Sequence, residues 1–597
     1  MRWMVKSSGR MIPDAETRYD LVKVALGEAE ADLALVGGTV VNVYTGELLS
    51  GETVLIKGDR IAYVGKDAAK SIGTRTRVID ATSKTLIPGF IDGHTHADYI
   101  YSVAELARYA MMGGTTTIIT EASMLVFPLG YSGIVEFLRS TRDQSVKFFI
   151  TVPPMVTINP AAKRHAIQVG ELRRLLGRRE VLGLGEVYWT PATKGDPRVL
   201  ELITETRKQG GQIEGHTAGA RGNKLQAYVS LGVSSCHEPI TAEEVKERLQ
   251  AGLTVFIREG VTRSDLEVIA KIKDEDIDFR YLALASDGLS PEQLINRGYM
   301  EFLVQKAVRL GFDPIRAIQM ATINVAQHFN LDDAVGGIAP GRFADISIIP
   351  DLETILPECV ISNGQVVAQD GDLLLAPRQH RYSKSAWSSV HLVREFAAGN
   401  FTVPAKGNPD HIKVRVIDIV TDLITREVIL DLAVASGEVQ MDIGRDVLKI
   451  AAIERVHQPG QSFVGFVRGT GIKHGAIASS LAIDSWDLIV VGASEADMAQ
   501  AVNRVRELSG GVVVCADRRI LAEMAFPIGG VIATEPMGVI ADKLHQVQKV
   551  AAELGCTLPD VGQTLAFITS ESVPFLRICE HGLIDVKQNS FVDLVVN

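Results

Sequence analysis

The sequence predicts an α/β protein built on a (β/α)8 barrel, with a small split β domain and a C-terminal α+β domain attached. Three observations predict it. Eight short apolar runs alternate with helical patterns, over the length that eight strand–helix units of such a barrel require. A meander of short strands before those runs has a counterpart after them. Beyond residue 395 the texture changes, mixing alternating strand patterns with a helical segment that ends at a Gly pair.

Taken in order, residues 1–30 read as a charged, partly helical lead-in without the apolar core of a signal peptide. "DLALVGGTVVNVYTGELLSGETVLIKGDRIAYVG", from Asp32, reads as strands separated by Gly turns. "GGIAPGRFADISIIPDLETILPECVISNGQVVAQDG", Gly336 to Gly371, has the same pattern. Residues 31–87 and 336–385 are therefore expected to form one composite β domain, because neither stretch can bury its apolar face alone. Residues 88–335 carry the eight runs, from "LIPGFIDGHTH" through "GTTTIITE", "VKFFITVP", "VLGLGEV", "GQIEGHT", "GVSSCHE" and "LTVFIREG" to "RYLALASD". Between them "TAEEVKERLQ" and "RSDLEVIAKIKD" repeat apolar residues at three- and four-residue spacing, as helices do. An open doubly wound sheet would show a Gly-rich phosphate loop after its first strand, and "DGHTHAD" is no such loop. Residues 395–597 form the expected C-terminal domain.

Composition narrows the function. The chain has 597 residues, 46% hydrophobic and 22% charged, which suits a globular protein with a sizeable core. Its net charge is −11 with no concentrated basic block, so nucleic acid and anionic membrane surfaces are not expected partners. No uncharged apolar run reaches the length of a spanning helix. Five scattered cysteines without a C-x-x-C point to a reducing, cytoplasmic setting and away from disulfides or a cysteine zinc site.

Chemistry in such a barrel sits at the C-terminal ends of the strands, where the loops converge. Run one ends in His94 and His96, run two in Glu121, run four in Glu186, run five in His216, run six in His237 and run eight in Asp287. Residues i and i+2 of a strand share a face, so His94 and His96 aim at one point and Thr95 faces away. Each residue alone has an ordinary reading as a solvated loop residue or turn former. Those readings would all have to hold at one end of one barrel. Four imidazoles and the carboxylates of Glu186 and Asp287 suit divalent transition metals. Six ligands exceed the three or so of a single catalytic ion, and Glu186 lies between the histidine pairs in order, so two ions are expected. Such ions supply hydroxide at neutral pH. Cys236 neighbours His237, and strand alternation points it elsewhere.

This constellation resembles that of the amidohydrolase superfamily, and longer stretches resemble the adenine deaminase family within it. The likeness is carried by "QIEGHTAGARGNKLQAYVSLGVSSCHE" (Gln212–Glu238), "FIREG", "GLGEV", "GFVRGTGIKHGAIASSLAIDS" (Gly465–Ser485) and "DLIVVGASEADMAQAVNRV" (Asp487–Val505). It covers nearly the whole chain after residue 30. Three places depart from the family's pattern: "ADYI" after the H-x-H where the family has "IESS", "EASM" where it has "DPHE", and "AIDSWD" where it has "AHDSHN".

The resemblance implies hydrolytic deamination of adenine to hypoxanthine and ammonia, a purine-salvage reaction on a small-molecule purine. It implies two divalent ions, Mn2+ or Fe2+ with Zn2+ a further choice, held by His94, His96, Glu186, His216, His237 and Asp287. Asp287 would serve as base and then acid, with Glu121 first and Glu238 second as the acid at a ring nitrogen. Glu121, Arg258 and Ser286 are candidate substrate contacts, and a homo-oligomer is compatible with the sequence. Two other chemistries fit less of it. A deaminase of a modified aminopurine or other aminated heterocycle would use the altered loops. A cyclic-amide hydrolase commonly has a carboxylated Lys where Glu186 stands, and a non-catalytic scaffold would have lost ligands, of which none is missing.

Overall fold

The computed structural model describes residue 11 and residues 13–155, 157–159, 165–407, 409–573 and 575–596. Its centre is a parallel barrel of eight strands: β1 (Phe90–Thr95), β2 (Thr115–Glu121), β3 (Lys147–Val152), β4 (Val181–Tyr188), β5 (Gln212–His216), β6 (Ser235–Cys236), β7 (Thr254–Arg258) and β8 (Leu282–Ala285). Strands β1 to β5 form one continuous parallel sheet and β6 to β8 a second. The gaps are closed by backbone bonds, Ser234 N–H to Ile213 O at 2.8 Å on one side and Asp287 N–H to His94 O at 2.9 Å on the other. Ile91, Ile119, Phe149, Leu182, Phe256 and Ala283 fill the interior, and Val325, Phe329 and Leu331 pack against them. Gly93 is glycine for a steric reason: a Cβ there would stand 2.4 Å from the Phe256 ring.

The period-two step of a strand carries the chain from this packed interior to the mouth. Ile119 is followed two residues later by Glu121, Phe256 by Arg258, and Ala285 by Asp287. Strand ends of an apolar core thus become the floor of a polar site.

The run "LIPGFIDGHTH" divides at Gly89. Thr85–Pro88 belongs to another sheet, where it pairs antiparallel with Ile346–Ile349, and only Phe90 onward enters the barrel. That sheet holds nine strands drawn from both sides of the barrel in sequence, and its apolar face is closed by Leu33, Val54, Ile61, Leu86, Ile346 and Ile361. Among the described residues of the lead-in there is one helix, Ala15–Ala25, capped by the Asp14 side chain on Thr17 N.

The C-terminal part is built on a second nine-stranded sheet, on which helix Glu495–Glu507 buries Met498, Val502 and Val505. It sits over the mouth of the barrel. Ile100, just past the H-x-H, exchanges backbone bonds with Val531 and Ala533, both at 2.8 Å. Glu105 accepts from Met537 N at 2.8 Å, and Glu571 accepts from Thr157 Oγ1 at 2.5 Å. Among the described residues no helix is long and apolar enough to cross a membrane.

Candidate metal centre and active site

The barrel mouth opens into a cavity of about 530 Å³, lined by strand ends and by residues of the C-terminal part. At its floor the six expected ligand residues converge. Glu186 stands between the two histidine pairs, with one carboxylate oxygen for each. Its Oε1 lies 3.2 Å from His94 Nε2 and 3.3 Å from His96 Nε2. Its Oε2 lies 2.9 Å from His216 Nδ1 and 3.8 Å from His237 Nε2. Asp287 Oδ1 is 3.5 Å from His94 Nε2 and 3.4 Å from His96 Nε2. The His94 and His237 rings stack at 4.1 Å.

Two overlapping groups have ligand atoms close enough for one ion each: His94, Glu186, His237 and Asp287, and His216, His237 and Glu238. The donor set fits divalent metals, since imidazole and carboxylate together suit Mn, Fe and Zn. The buried Nε2 atoms of His94 and His216 have no hydrogen-bond partner, which a ligating role would explain. Burial opposes charging these imidazoles, yet the Asp287 and Glu186 carboxylates lift His94 to about 10. Against the same cost of burial, Glu238 and Glu186 lift His216 to about 9. The negative potential that holds those protons also attracts a divalent cation, which competes with the proton for each ring nitrogen. His237 is lowered instead, by burial and by its stacked neighbour His94.

Glu121 is buried, lines the cavity beside the ligands and accepts from the Glu186 N–H at 2.6 Å. Its carboxyl lies across Gly185, where a Cβ would come within 2.6 Å of it. Burial, then the charge of Glu186, raises Glu121 to about 8. Glu238 is held in the opposite direction: burial opposes ionisation, but Arg258 and His216 keep it well below the carboxylate range. Arg258 is committed to three acids, with Nη1 2.6 Å from Glu238 and 3.3 Å from Asp287, and Nη2 3.3 Å from Asp265. It lines the cavity with a charge that is already balanced. Ser286 lies beneath the ligands, donating to Asp92 at 2.5 Å and meeting Thr95 Oγ1 at 3.0 Å. It is fully buried and is not among the cavity-lining residues, because strand alternation turns it away from Asp287. Asp92 also accepts from Tyr299 Oη at 2.7 Å, so it braces the floor.

The altered loops are in the site. Ser123 of "EASM" meets His96 Nδ1 at 3.1 Å, orienting that ring from behind. Tyr99 and Ile100 of "ADYI" line the cavity. Sequence reasoning did not single out Tyr188, although it stands two residues after Glu186 on the same strand, or Asp484, His545 and Phe567 of the C-terminal part, which form the roof. The spacing from Glu186 was a usable signal for Tyr188, and the altered "AIDSWD" stretch contains Asp484; His545 and Phe567 carry no motif that spacing could find. Cys236 turns to Thr217 Oγ1 at 2.6 Å, away from the ligand cluster.

A buried layer of imidazoles and carboxylates at the C-terminal mouth of a (β/α)8 barrel defines the amidohydrolase class, and residues 85–373 match the amidohydrolase family model. Residues 422–590 match the model of the adenine deaminase C-terminal domain. The chain belongs to the adenine deaminase family. It is 36% identical over 590 residues to an adenine deaminase of Cenarchaeum symbiosum, covering 98% of this chain and 96% of that one. It is also 36% identical over 590 residues to an adenine deaminase of Moorella thermoacetica, covering 98% and 99%. A solved structure, that of molinate hydrolase, aligns with a TM-score of 0.44 at 18% identity over 57% of this chain and 95% of that one.

Proposed function

We propose that this protein hydrolyses adenine to hypoxanthine and ammonia with two divalent transition metals, Mn2+ or Fe2+ in the first place and Zn2+ as a substitute. The observation that carries the reading is Glu186, with one oxygen on the His94–His96 side and the other on the His216–His237 side. The near full-length kinship with proteins named adenine deaminase supports the substrate.

In this reading His94, His96, Glu186, His216, His237 and Asp287 hold the metals. When bound, divalent ions supply Lewis acidity and acidify a coordinated water near neutral pH. The chain's own groups then manage protons. Asp287 is ionised and faces the cavity beside the His94–His96 pair, so it takes the proton of the water that attacks C6 and returns it to the departing amine. Glu121 lines the cavity beside Glu186 and holds a proton, which it supplies to a ring nitrogen as aromaticity is lost and regains from the added hydroxyl as the carbonyl forms. Glu238, paired with Arg258, is the second candidate for that task, and Arg258 keeps Asp287 and Glu238 ionised and in place. Ser286 acts through Asp92, on the floor beneath.

The test uses protein stripped of metal and reloaded separately with Mn2+, Fe2+ and Zn2+. Ammonia release is followed against metal equivalents, with adenine, modified aminopurines, dihydroorotate and hydantoin in parallel. Ammonia from adenine that saturates near two equivalents supports the reading. Two bound equivalents with turnover of another heterocycle, and none of adenine, would replace the substrate and keep the site.

A further inference from the structure

Tyr188 and Asp484 join the barrel to its roof at the edge of the metal cluster. Tyr188 ends β4 two residues beyond Glu186, and its ring meets the His216 imidazole edge-on with centroids 5.1 Å apart. Its hydroxyl donates to Asp484 Oδ1 at 2.7 Å, across 296 residues of sequence. Asp484 is buried, and its second oxygen accepts from Ser570 Oγ at 2.5 Å. Ser570 is itself fixed by Ser572, whose N–H bonds to it at 3.3 Å. Both Tyr188 and Asp484 line the cavity.

Two features mark this as more than a surface link. Asp484 has φ of 62°, a left-handed conformation that a non-glycine residue adopts at a cost, and such strain concentrates at functional positions. The loop that bears it is also braced on both sides, by Ile483 N–H on Ala566 O at 2.9 Å and by Thr569 Oγ1 on Ile483 O at 2.7 Å. A buried carboxylate needs donors, and Asp484 has one from each side of the seam, Tyr188 from the barrel and Ser570 from the roof.

The hydrogen-bond chemistry is one-sided. A phenol has one proton and two lone pairs. With the proton given to Asp484, the Tyr188 oxygen offers only acceptor capacity to the cavity. We propose that Asp484 is a positioning residue that orients the Tyr188 phenol, and that Tyr188 accepts a hydrogen bond from a ring N–H of the substrate, so that the site selects free purine bases over N9-substituted ones. This rests on the adenine reading above and adds to it the edge by which the base is recognised.

The experiment compares adenine with 9-methyladenine, which keeps the exocyclic amine and lacks the imidazole-ring N–H, and reads the ratio of the two kcat/KM values. A ratio is unaffected by the fraction of enzyme folded or metal-loaded. The wild type should favour adenine by about ten- to a hundredfold, as expected when a buried hydrogen-bonding group loses its partner. Tyr188→Phe removes the acceptor and should bring the ratio close to one, mainly by raising KM for adenine. Asp484→Ala frees the phenol proton and should also shrink the ratio. Asp484→Asn retains an acceptor for the phenol and should restore most of it. A ratio unchanged in Tyr188→Phe and Asp484→Ala, or a wild type that accepts both bases equally, overturns the inference while leaving adenine deamination intact. A wild type that turns over neither base removes the underlying reading and the inference with it.

Discussion

The barrel side of the cavity and its C-terminal roof are built on different terms. On the barrel side each polar group is chemically specified: imidazoles and carboxylates stand at strand ends, buried, and hold one another within 4 Å. On the roof side Leu481, Ile483, Leu544 and Phe567 supply apolar surface, interspersed with polar groups such as His545 and Gln563 and with Asp484, which is tied to Tyr188. The first wall must present particular atoms at particular places. The second must exclude water and shape the space, a task that many side chains can share. Changes on the barrel wall should therefore destroy chemistry, and changes on the roof should adjust binding.

The sharpest break of that contrast would come at Glu186. Glu186→Gln removes a charge shared by both histidine pairs, so metal content measured by elemental analysis and ammonia release should both collapse. Retention of two metals and of turnover would mean that the pairs do not depend on it. Next is Asp287→Asn, which keeps the shape and removes the base. Its kcat should fall by about 10²–10⁴, the usual worth of a positioned general base. Circular dichroism should show the fold unchanged.

Arg258→Met tests whether the barrel wall is also costly to assemble. It leaves Glu238, Asp265 and Asp287 as buried charges without their cation, and breaking a buried pair costs roughly 3–5 kcal/mol. Urea unfolding should show a loss of that order.

Glu301 supplies a contrast outside the mouth. It is a buried acid whose Oε1 accepts from Tyr299 N at 2.9 Å and whose Oε2 has no partner. Burial pushes its carboxyl up to about 7 from 4.5. The unfolded chain therefore releases this proton above pH 4.5, while the folded protein retains it until about pH 7. Stability contributed by this site falls as pH rises through that window, reaching a penalty of about 3 kcal/mol above it. Glu301→Gln should be more stable than the wild type at pH 8, with the advantage vanishing toward pH 5. Equal urea midpoints at both pH values would show that the burial carries no cost. The smallest effect belongs to the roof: Ile483→Ala should shift KM by no more than about tenfold and leave metal content unchanged.

Legibility followed the same division. The strand ends could be read because local geometry fixes them. A strand turns alternate residues to one face, so "GHTH", "GEV", "GHT" and "ALASD" state which side chains meet once the barrel closes. The family resemblance rested on the same stretches, and the full-length relatives agree with it. Arg258 and Ser286 were harder, because whether a strand-end residue faces the cavity or a neighbour depends on which acids surround it. Arg258 found three, and Ser286 found Asp92 on the floor.

The sequence by itself determined the class of fold, the order of its strands and the residue types gathered at one end of the barrel, since periods of 2 and 3.6 and the ligand chemistry are properties of short segments. Tertiary structure alone decided three further things. It divided the first run at Gly89 between two sheets, turned one oxygen of Glu186 to each histidine pair, and brought Asp484 across 296 residues to the Tyr188 hydroxyl. Contacts over such separations are set by how whole layers pack, and no periodicity within a segment records them.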